Sequence, residues 1–166
     1  MILRALFHGM VVSSSILATP IAIDARANKS MVGQPAPPFV LKMFDKSERK
    51  LADYAGKVLV INYWATWCGP CKAEMPMMSG YHRKNRWRGF EIVGVITKDS
   101  VAPSKLTKLA AALSYPLATD LKGKYGILGA VPTNYVIDKK GIVRFADVGS
   151  FEDAEFTALI DPLLRE

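Results

Sequence analysis

The chain has few of the side chains that build metal centres and disulfide networks. Its 166 residues include two cysteines and two histidines. A structural zinc site needs about four such ligands, and His82 is the one histidine beyond the N-terminal segment. The composition therefore disfavours a structural zinc ion. One cysteine pair separated by two residues also falls short of the disulfide framework of a small secreted domain.

Long uninterrupted apolar runs are missing as well. An apolar stretch from Ala5 to Ile23 is broken by three consecutive serines and by a proline, which leaves it short of the roughly 18 residues of a membrane span. Arg4 precedes the stretch, and Ala25-Arg26-Ala27 offers a small-x-small cleavage site. We predict a signal peptide over residues 1–27, with an uncleaved membrane anchor as the alternative.

The rest of the chain shows no internal repeat, no low-complexity tract and no glycine-rich phosphate loop. Half of the residues are hydrophobic, which is enough apolar material for one core. Residues 28–38 are rich in proline and are predicted to form an extended lead segment, followed by one domain over residues 39–166. The net charge of +7 favours acidic partners or anionic lipid head groups.

Strand and helix patterns alternate along the middle of the domain. Three short apolar runs predict strands, at residues 58–61, 90–96 and 116–118, and the first two lack polar alternation, as buried parallel strands do. A helix is predicted from Cys71 to about Trp87, kinked at Pro76, and a second one over 103–113. This alternation predicts an α/β domain with a mostly parallel sheet.

Antiparallel elements are predicted at both ends of the domain. Residues 39–43 and the polar turn at 45–47 suggest a first hairpin, and residues 134–145 predict a second. Ser150 and Asp153 suggest a capping box that opens a final helix. The apolar positions of that helix fall on one face, which is predicted to pack on the sheet: Phe156, Leu159, Ile160, Leu163 and Leu164.

The two cysteines lie in the segment WATWCGPCKAEMP, at the predicted junction of a strand and a helix. Free backbone N–H groups and the helix dipole stabilise a thiolate there, so we predict that Cys68 is the nucleophile. Cys71, one turn later, is predicted to resolve the mixed disulfide. Pro70 suits a first helical turn, and Gly69 leaves the attacking face open to a partner. Trp67 is expected to shield the site.

The segments GKVLVINYWATWCGPCKAEMP and YGILGAVPTNYVIDKKG resemble the exported thioredoxin-like reductases of the TlpA, ResA and DsbE/CcmG group. The resemblance covers essentially all of the chain beyond the predicted signal peptide. It implies a thioredoxin fold, in which a central mixed β-sheet is flanked by helices. It also implies an N-terminal hairpin and an inserted strand-helix element at about Thr97 to Asp120.

The same resemblance implies roles beyond the cysteines. Asn62 stands where ordinary thioredoxins have a buried aspartate, and its amide cannot accept a proton. By similarity to ResA-like proteins, Glu74 takes the proton of Cys71; a solvated surface glutamate is the alternative. Val131, Pro132 and Thr133 match the family's cis-proline loop, which pairs with the incoming peptide. An ordinary trans proline is the alternative there.

We therefore expect a periplasmic thiol:disulfide oxidoreductase that mainly reduces protein disulfides by dithiol exchange through Cys68 and Cys71. The chemistry needs no cofactor and no metal beyond this redox-active pair. The resemblance implies a membrane thiol-transfer protein as electron donor, and an apocytochrome c or a cysteine-ligated copper-site protein as substrate.

Two other functions remain open from the sequence: a copper-binding metallochaperone that uses Cys68 and Cys71, and a periplasmic oxidant or isomerase. The methionines at 75, 77 and 78 are soft copper ligands, but their helical spacing favours packing. The basic segment at 82–88 is interpreted as the cationic end of a helix rather than a nucleic-acid site.

Overall fold

The computed structural model describes residues 31–166, and the predicted signal peptide lies outside them. Within these residues seven strands form one sheet: β1 (Phe39–Met43), β2 (Glu48–Lys50), β3 (Val58–Trp64), β4 (Phe90–Ile96), β5 (Leu117–Gly123), β6 (Thr133–Ile137) and β7 (Val143–Val148). The α-helices are α1 (Gly69–Asn85), α2 (Thr107–Ala112) and α3 (Asp153–Arg165). Short 3-10 segments lie at Leu51–Tyr54, Arg86–Arg88 and Pro103–Leu106. No described helix is long and apolar enough to cross a membrane.

The sheet is mixed, and its strand order is β2-β1-β5-β4-β3-β6-β7. The pairs β3–β4 and β4–β5 are parallel, while β1, β2, β6 and β7 join by antiparallel pairing. This arrangement confirms the predicted α/β class with a central mixed sheet and an N-terminal hairpin. The prediction of a mostly parallel sheet is wrong, because β1 pairs with β5 and β6 pairs with β3 in antiparallel fashion, so four of the six strand pairs are antiparallel. The inserted element between β4 and β6 contributes α2 and β5, and β5 lies between β1 and β4.

Strand β3 lies at the centre of the packing and is buried along its whole length. Its alternate side chains point to opposite faces of the sheet: Val58, Val60 and Trp64 join the core that contains α1 and α3 residues. Leu59, Ile61 and Tyr63 join the core on the other face. The absence of polar alternation in this run therefore reflects two covered faces.

Gly94 provides the space that Trp64 occupies. A Cβ atom at residue 94 would lie 2.7 Å from Leu117 Cδ2 and 3.2 Å from Trp64 Nε1. Trp64 is fully buried, and it ends the strand that leads directly into the cysteine motif. Gly94 thus helps to set the position of the chain just before the site.

Helix α1 begins at Gly69, two residues before its predicted start, with Cys68 as its N-cap. Pro70 lies in the first turn and Pro76 lies inside the helix. The α-helix ends at Asn85, and a 3-10 turn continues it to Gly89, whose φ is 80°. A left-handed backbone favours glycine at that position.

The capping-box prediction for the final helix is wrong. Helix α3 begins at Asp153 with Glu152 as N-cap, and no side chain caps it. The preceding residues are held by tertiary contacts instead, because Phe151 N–H is donated to Glu74 and Gly149 C=O accepts from Asn134. The predicted apolar face is confirmed: Phe156, Ile160, Leu163 and Leu164 are buried, and Leu159 packs against them.

The lead segment runs along the edge of the domain. Gly33 N–H is donated to Val143 C=O at 2.7 Å, and Ala36 N–H to Gly141 C=O at 2.8 Å. Met31 is buried against the core on this side of the sheet. These contacts attach the segment to the second hairpin.

Candidate active site

A disulfide joins Cys68 to Cys71 at the start of α1, directly after β3. Cys68 Sγ accepts the backbone N–H of Cys71 at 3.1 Å. After reduction, this N–H and the helix dipole would stabilise a thiolate on Cys68. Both cysteines are buried, whereas Gly69 and Pro70 between them are exposed. A partner can therefore approach the pair over a surface of small side chains.

The loop before β6 lies over the disulfide. The Val131–Pro132 peptide bond is cis, which confirms the predicted geometry and excludes the trans alternative. Val131 C=O lies 3.6 Å from Cys68 Sγ. Thr133 Oγ1 donates to Ala130 C=O at 2.6 Å and accepts Leu128 N–H at 3.1 Å. The buried Thr133 side chain thus holds the loop together, and the Val131 carbonyl is close to the sulfur.

Glu74 is buried on α1, with only 3% of its surface exposed. Its Oε1 accepts from Asn62 Nδ2 at 2.8 Å, and its Oε2 accepts Phe151 N–H at 3.0 Å. Burial raises the pKa of Glu74 to about 7, against the opposing effect of these two hydrogen bonds. A surface glutamate is therefore excluded, and a carboxyl group that can gain or lose a proton near neutral pH lies one helical turn from Cys71.

An amide pair supports this carboxyl group. Asn62 on β3 lies opposite Asn134 on β6, and Asn62 Nδ2 donates to Asn134 Oδ1 at 2.8 Å. Asn134 Nδ2 in turn donates to Gly149 C=O at 3.0 Å. Both amides are fully buried. The network connects the central strands to Glu74 and to the loop that leads into α3.

The residues Asn134, Phe151 and Tyr115 were not predicted to belong to the site. An asparagine within the apolar strand TNYVI is the signal that could have identified Asn134, because buried strand positions seldom carry an unpaired amide. Phe151 contributes only its backbone N–H, which no sequence pattern reveals. Burial, and secondarily the charge of Glu74, raises the pKa of Tyr115, so this phenol stays protonated beside the carboxyl group.

Trp67 stands at the surface beside the disulfide, with 61% of its side chain exposed. Its Nε1 donates to Asp99 Oδ2 at 3.1 Å. A hydrogen bond from Thr97, and to a smaller extent the one from Trp67, holds the pKa of Asp99 below its usual range. Trp67 and Val131 both line a cavity of about 510 Å³ together with apolar side chains such as Tyr63 and Ile127. This cavity therefore lies next to the disulfide, since Trp67 directly precedes Cys68 and the Val131 carbonyl is close to its sulfur.

Metal-binding side chains do not gather near the pair. In the stretch from residue 31 to the C-terminus, no group of three or more His, Cys, Asp or Glu side chains is placed to hold a metal ion. Met75 and Met78 are buried in the core and Met77 packs against it, which confirms the packing interpretation of the three methionines. Tyr63 and Trp64, which precede the cysteine motif on β3, are buried as well.

Comparison with known proteins gives a consistent set of relatives. The AhpC/TSA family matches residues 32–146. The thiol-disulfide oxidoreductase ResA of Geobacillus thermodenitrificans is 38% identical over 121 residues, 68% of this chain and 67% of the relative. The thioredoxin-like protein YneN of Bacillus subtilis is 31% identical over 138 residues, 78% of each chain. A solved thiol:disulfide interchange protein of the thioredoxin family from Chlorobium tepidum superposes with a TM-score of 0.65 at 29% identity, over 78% of this chain and 95% of that one.

Proposed function

We propose a direction of electron flow, a mechanism and a substrate class for this chain. It belongs to the AhpC/TSA family and is a thiol:disulfide oxidoreductase of the thioredoxin-like TlpA, ResA and DsbE group. It acts in the periplasm, mainly as a reductant of protein disulfides. The Cys-Gly-Pro-Cys motif supports this direction because thioredoxin, a reductant with a potential near −270 mV, has the same two residues between its cysteines.

In the proposed reaction the reduced pair carries out two exchanges. The Cys68 thiolate attacks one sulfur of the substrate disulfide, and the other substrate sulfur leaves as a thiolate and takes up a proton. Cys71 then attacks Cys68 Sγ in the mixed disulfide and releases the second substrate thiol. The substrate gains two electrons and two protons, and the enzyme is left with the Cys68–Cys71 disulfide. No cofactor takes part.

The observation that carries this mechanism is the buried Glu74 carboxyl, one turn from Cys71 and held by Asn62 and Phe151. A thiol has an ordinary pKa of about 8.5, so Cys71 needs a base before it can attack. Glu74 removes that proton in the resolving step and returns it when the enzyme is reduced again. A pKa of about 7 for Glu74 suits both directions of proton transfer.

The proposed substrates are an apocytochrome c before haem attachment, or a cysteine-ligated copper-site protein of an oxidase. A membrane thiol-transfer protein supplies the electrons, because an extracytoplasmic reductant cannot draw on cytoplasmic thiols directly. The family resemblance supports these partners. The exposed surface around Gly69, Pro70 and the 510 Å³ cavity is large enough for a peptide to approach the disulfide.

Mixed-disulfide trapping tests the mechanism. An oxidised peptide that carries a Cys-x-x-Cys-His sequence is mixed with the reduced Cys71→Ser and Cys68→Ser variants. We expect the Cys71→Ser variant to accumulate a covalent adduct through Cys68, and the Cys68→Ser variant to form little. The opposite pattern would reverse the two roles. An absence of adducts with both variants would contradict the reductase function and favour the copper-binding metallochaperone.

A further inference from the structure

The end of the domain opposite the disulfide carries an exposed cationic surface. Helix α1 begins at the disulfide and runs for 17 residues, which at about 1.5 Å per residue separates its two ends by roughly 25 Å. Three exposed cations and one exposed tryptophan lie at the far end, and we call them the basic patch: Arg83, Lys84, Arg86 and Trp87.

Helix electrostatics account for only part of the basic patch. Cations in the last turn of α1 complement the negative end of the helix dipole, which suits Arg83 and Lys84. Arg86 and Trp87 lie in the following 3-10 turn. Trp87 is 81% exposed, and its Nε1 donates to Lys84 C=O at 2.8 Å. The indole is thus held at the surface next to the cations, where it buries little apolar area.

The charge of the basic patch is not neutralised by the protein. Within residues 31–166, Arg83, Lys84 and Arg86 make no ion pair. The acidic groups nearby already have partners, because Glu91 Oε1 pairs with Lys57 Nζ at 3.1 Å and Asp161 accepts from the Tyr81 hydroxyl at 2.5 Å. Three cations therefore face solvent beside the indole.

We propose that the basic patch binds the surface of an anionic phospholipid bilayer. Tryptophan favours the membrane–water interface because its ring is apolar and its N–H is polar. Each Lys or Arg close to an anionic leaflet strengthens binding roughly fivefold. Charge complementarity thus favours an acidic lipid surface over a neutral one. The proposal rests on the extracytoplasmic location given under the proposed function, since an exported protein meets a membrane surface more readily than nucleic acid.

Bilayer binding through the basic patch has a consequence for the redox site. The disulfide lies at the other end of α1, so the bound protein presents it to the aqueous side, about 25 Å from the patch. Substrates in solution can then reach the Cys68–Cys71 pair while the protein stays next to the membrane.

Vesicle co-sedimentation tests the proposal with the exported chain, residues 28–166, after removal of the predicted signal peptide. The protein is mixed with vesicles of pure phosphatidylcholine and with vesicles that contain 30% phosphatidylglycerol. We compare the native chain with a triple charge reversal, R83E/K84E/R86E, and with Trp87→Ala. The matched control is K105E/K108E/K122E, which changes the net charge equally at three exposed lysines elsewhere on the surface. Turnover of a disulfide peptide is measured for every protein.

We expect the native chain to bind the anionic vesicles and to detach at high salt. R83E/K84E/R86E is expected to weaken binding at least about a hundredfold, because each lost cation costs roughly fivefold and the added carboxylates repel the anionic surface, with unchanged turnover. Trp87→Ala is expected to cause a smaller loss, and the control variant to retain most of the binding.

Equal losses in both triple variants would overturn the proposal, because net charge alone would then explain binding. Binding to a random oligonucleotide without binding to anionic vesicles would overturn it as well. If the native chain does not reduce the disulfide peptide, the proposed function is contradicted. The vesicle comparison would still decide whether the basic patch binds lipid.

Discussion

Replacement of Glu74 by glutamine removes the titrating carboxyl group from the site, and the side chain keeps nearly the same size. The native carboxylate accepts from two donors, Asn62 Nδ2 at 2.8 Å and Phe151 N–H at 3.0 Å. A glutamine amide has one oxygen and one NH₂ group, so it can satisfy only one of these donors. More importantly, it cannot accept a proton from Cys71.

The expected effect on the rate follows from the loss of a positioned base. General acid–base catalysis by one side chain contributes about 10²–10⁴ in rate. Glu74→Gln should therefore slow the resolving step by about a hundredfold or more at pH 7. In the native protein this step needs the Glu74 carboxylate, whose pKa is about 7. Its rate should therefore fall about tenfold per pH unit below that value, and the variant should lose this dependence.

Stopped-flow fluorescence of Trp67, which lies beside the disulfide, can follow the reaction between pH 5 and 8. Glu155→Gln serves as the matched control, because Glu155 is exposed on α3. Attack by Cys68 on the substrate should stay close to the native rate in the Glu74 variant, since that step does not involve Cys71. A resolving rate and pH profile equal to those of the native protein would refute the assignment of Glu74 as the base.

Three further predictions concern stability and the amide network. The raised pKa of Glu74 means that the folded state holds its proton more tightly, so stability should fall by roughly 3 kcal/mol as pH rises from 4.5 to about 7; denaturant unfolding of Glu74→Gln should show no such loss. Asn62→Asp places a second carboxyl group where Asn62 Nδ2 lies, 2.8 Å from Glu74 Oε1, so the pH midpoint of the resolving step should move upward. An unchanged midpoint would show that residue 62 does not influence the Glu74 carboxyl group. Gly94→Ala crowds Leu117 and Trp64 and should cost about 1–3 kcal/mol in denaturant unfolding, whereas Gly80→Ala, with open space, should not.

Much of the fold could be predicted because local patterns and tertiary structure agree. The apolar run at 58–61 has no polar alternation, and β3 is buried on both faces. The cysteine spacing placed Cys68 at a helix N-terminus, where it is the N-cap of α1. The cis bond before Pro132 and the burial of Glu74 could be predicted only from the family resemblance. Sequence spacing alone is equally compatible with a trans proline and with a solvated glutamate.

The remaining features depend on contacts between distant segments. Asn134 meets Asn62 only because β6 pairs with β3 in one register, and Phe151 reaches Glu74 through its backbone. The same contact explains why the final helix starts at Asp153 without a side-chain cap. A local capping pattern was overridden by a hydrogen bond to a buried carboxyl group 77 residues away.

The equilibrium redox potential of the Cys68–Cys71 pair tests the central claim most directly. The chain would be equilibrated in thiol–disulfide buffers free of copper, and the oxidised fraction read from tryptophan fluorescence. A dedicated reductant should give a potential of about −250 mV or lower, close to thioredoxin. A potential near −120 mV, the value for the oxidant DsbA, would contradict the proposed direction of electron flow.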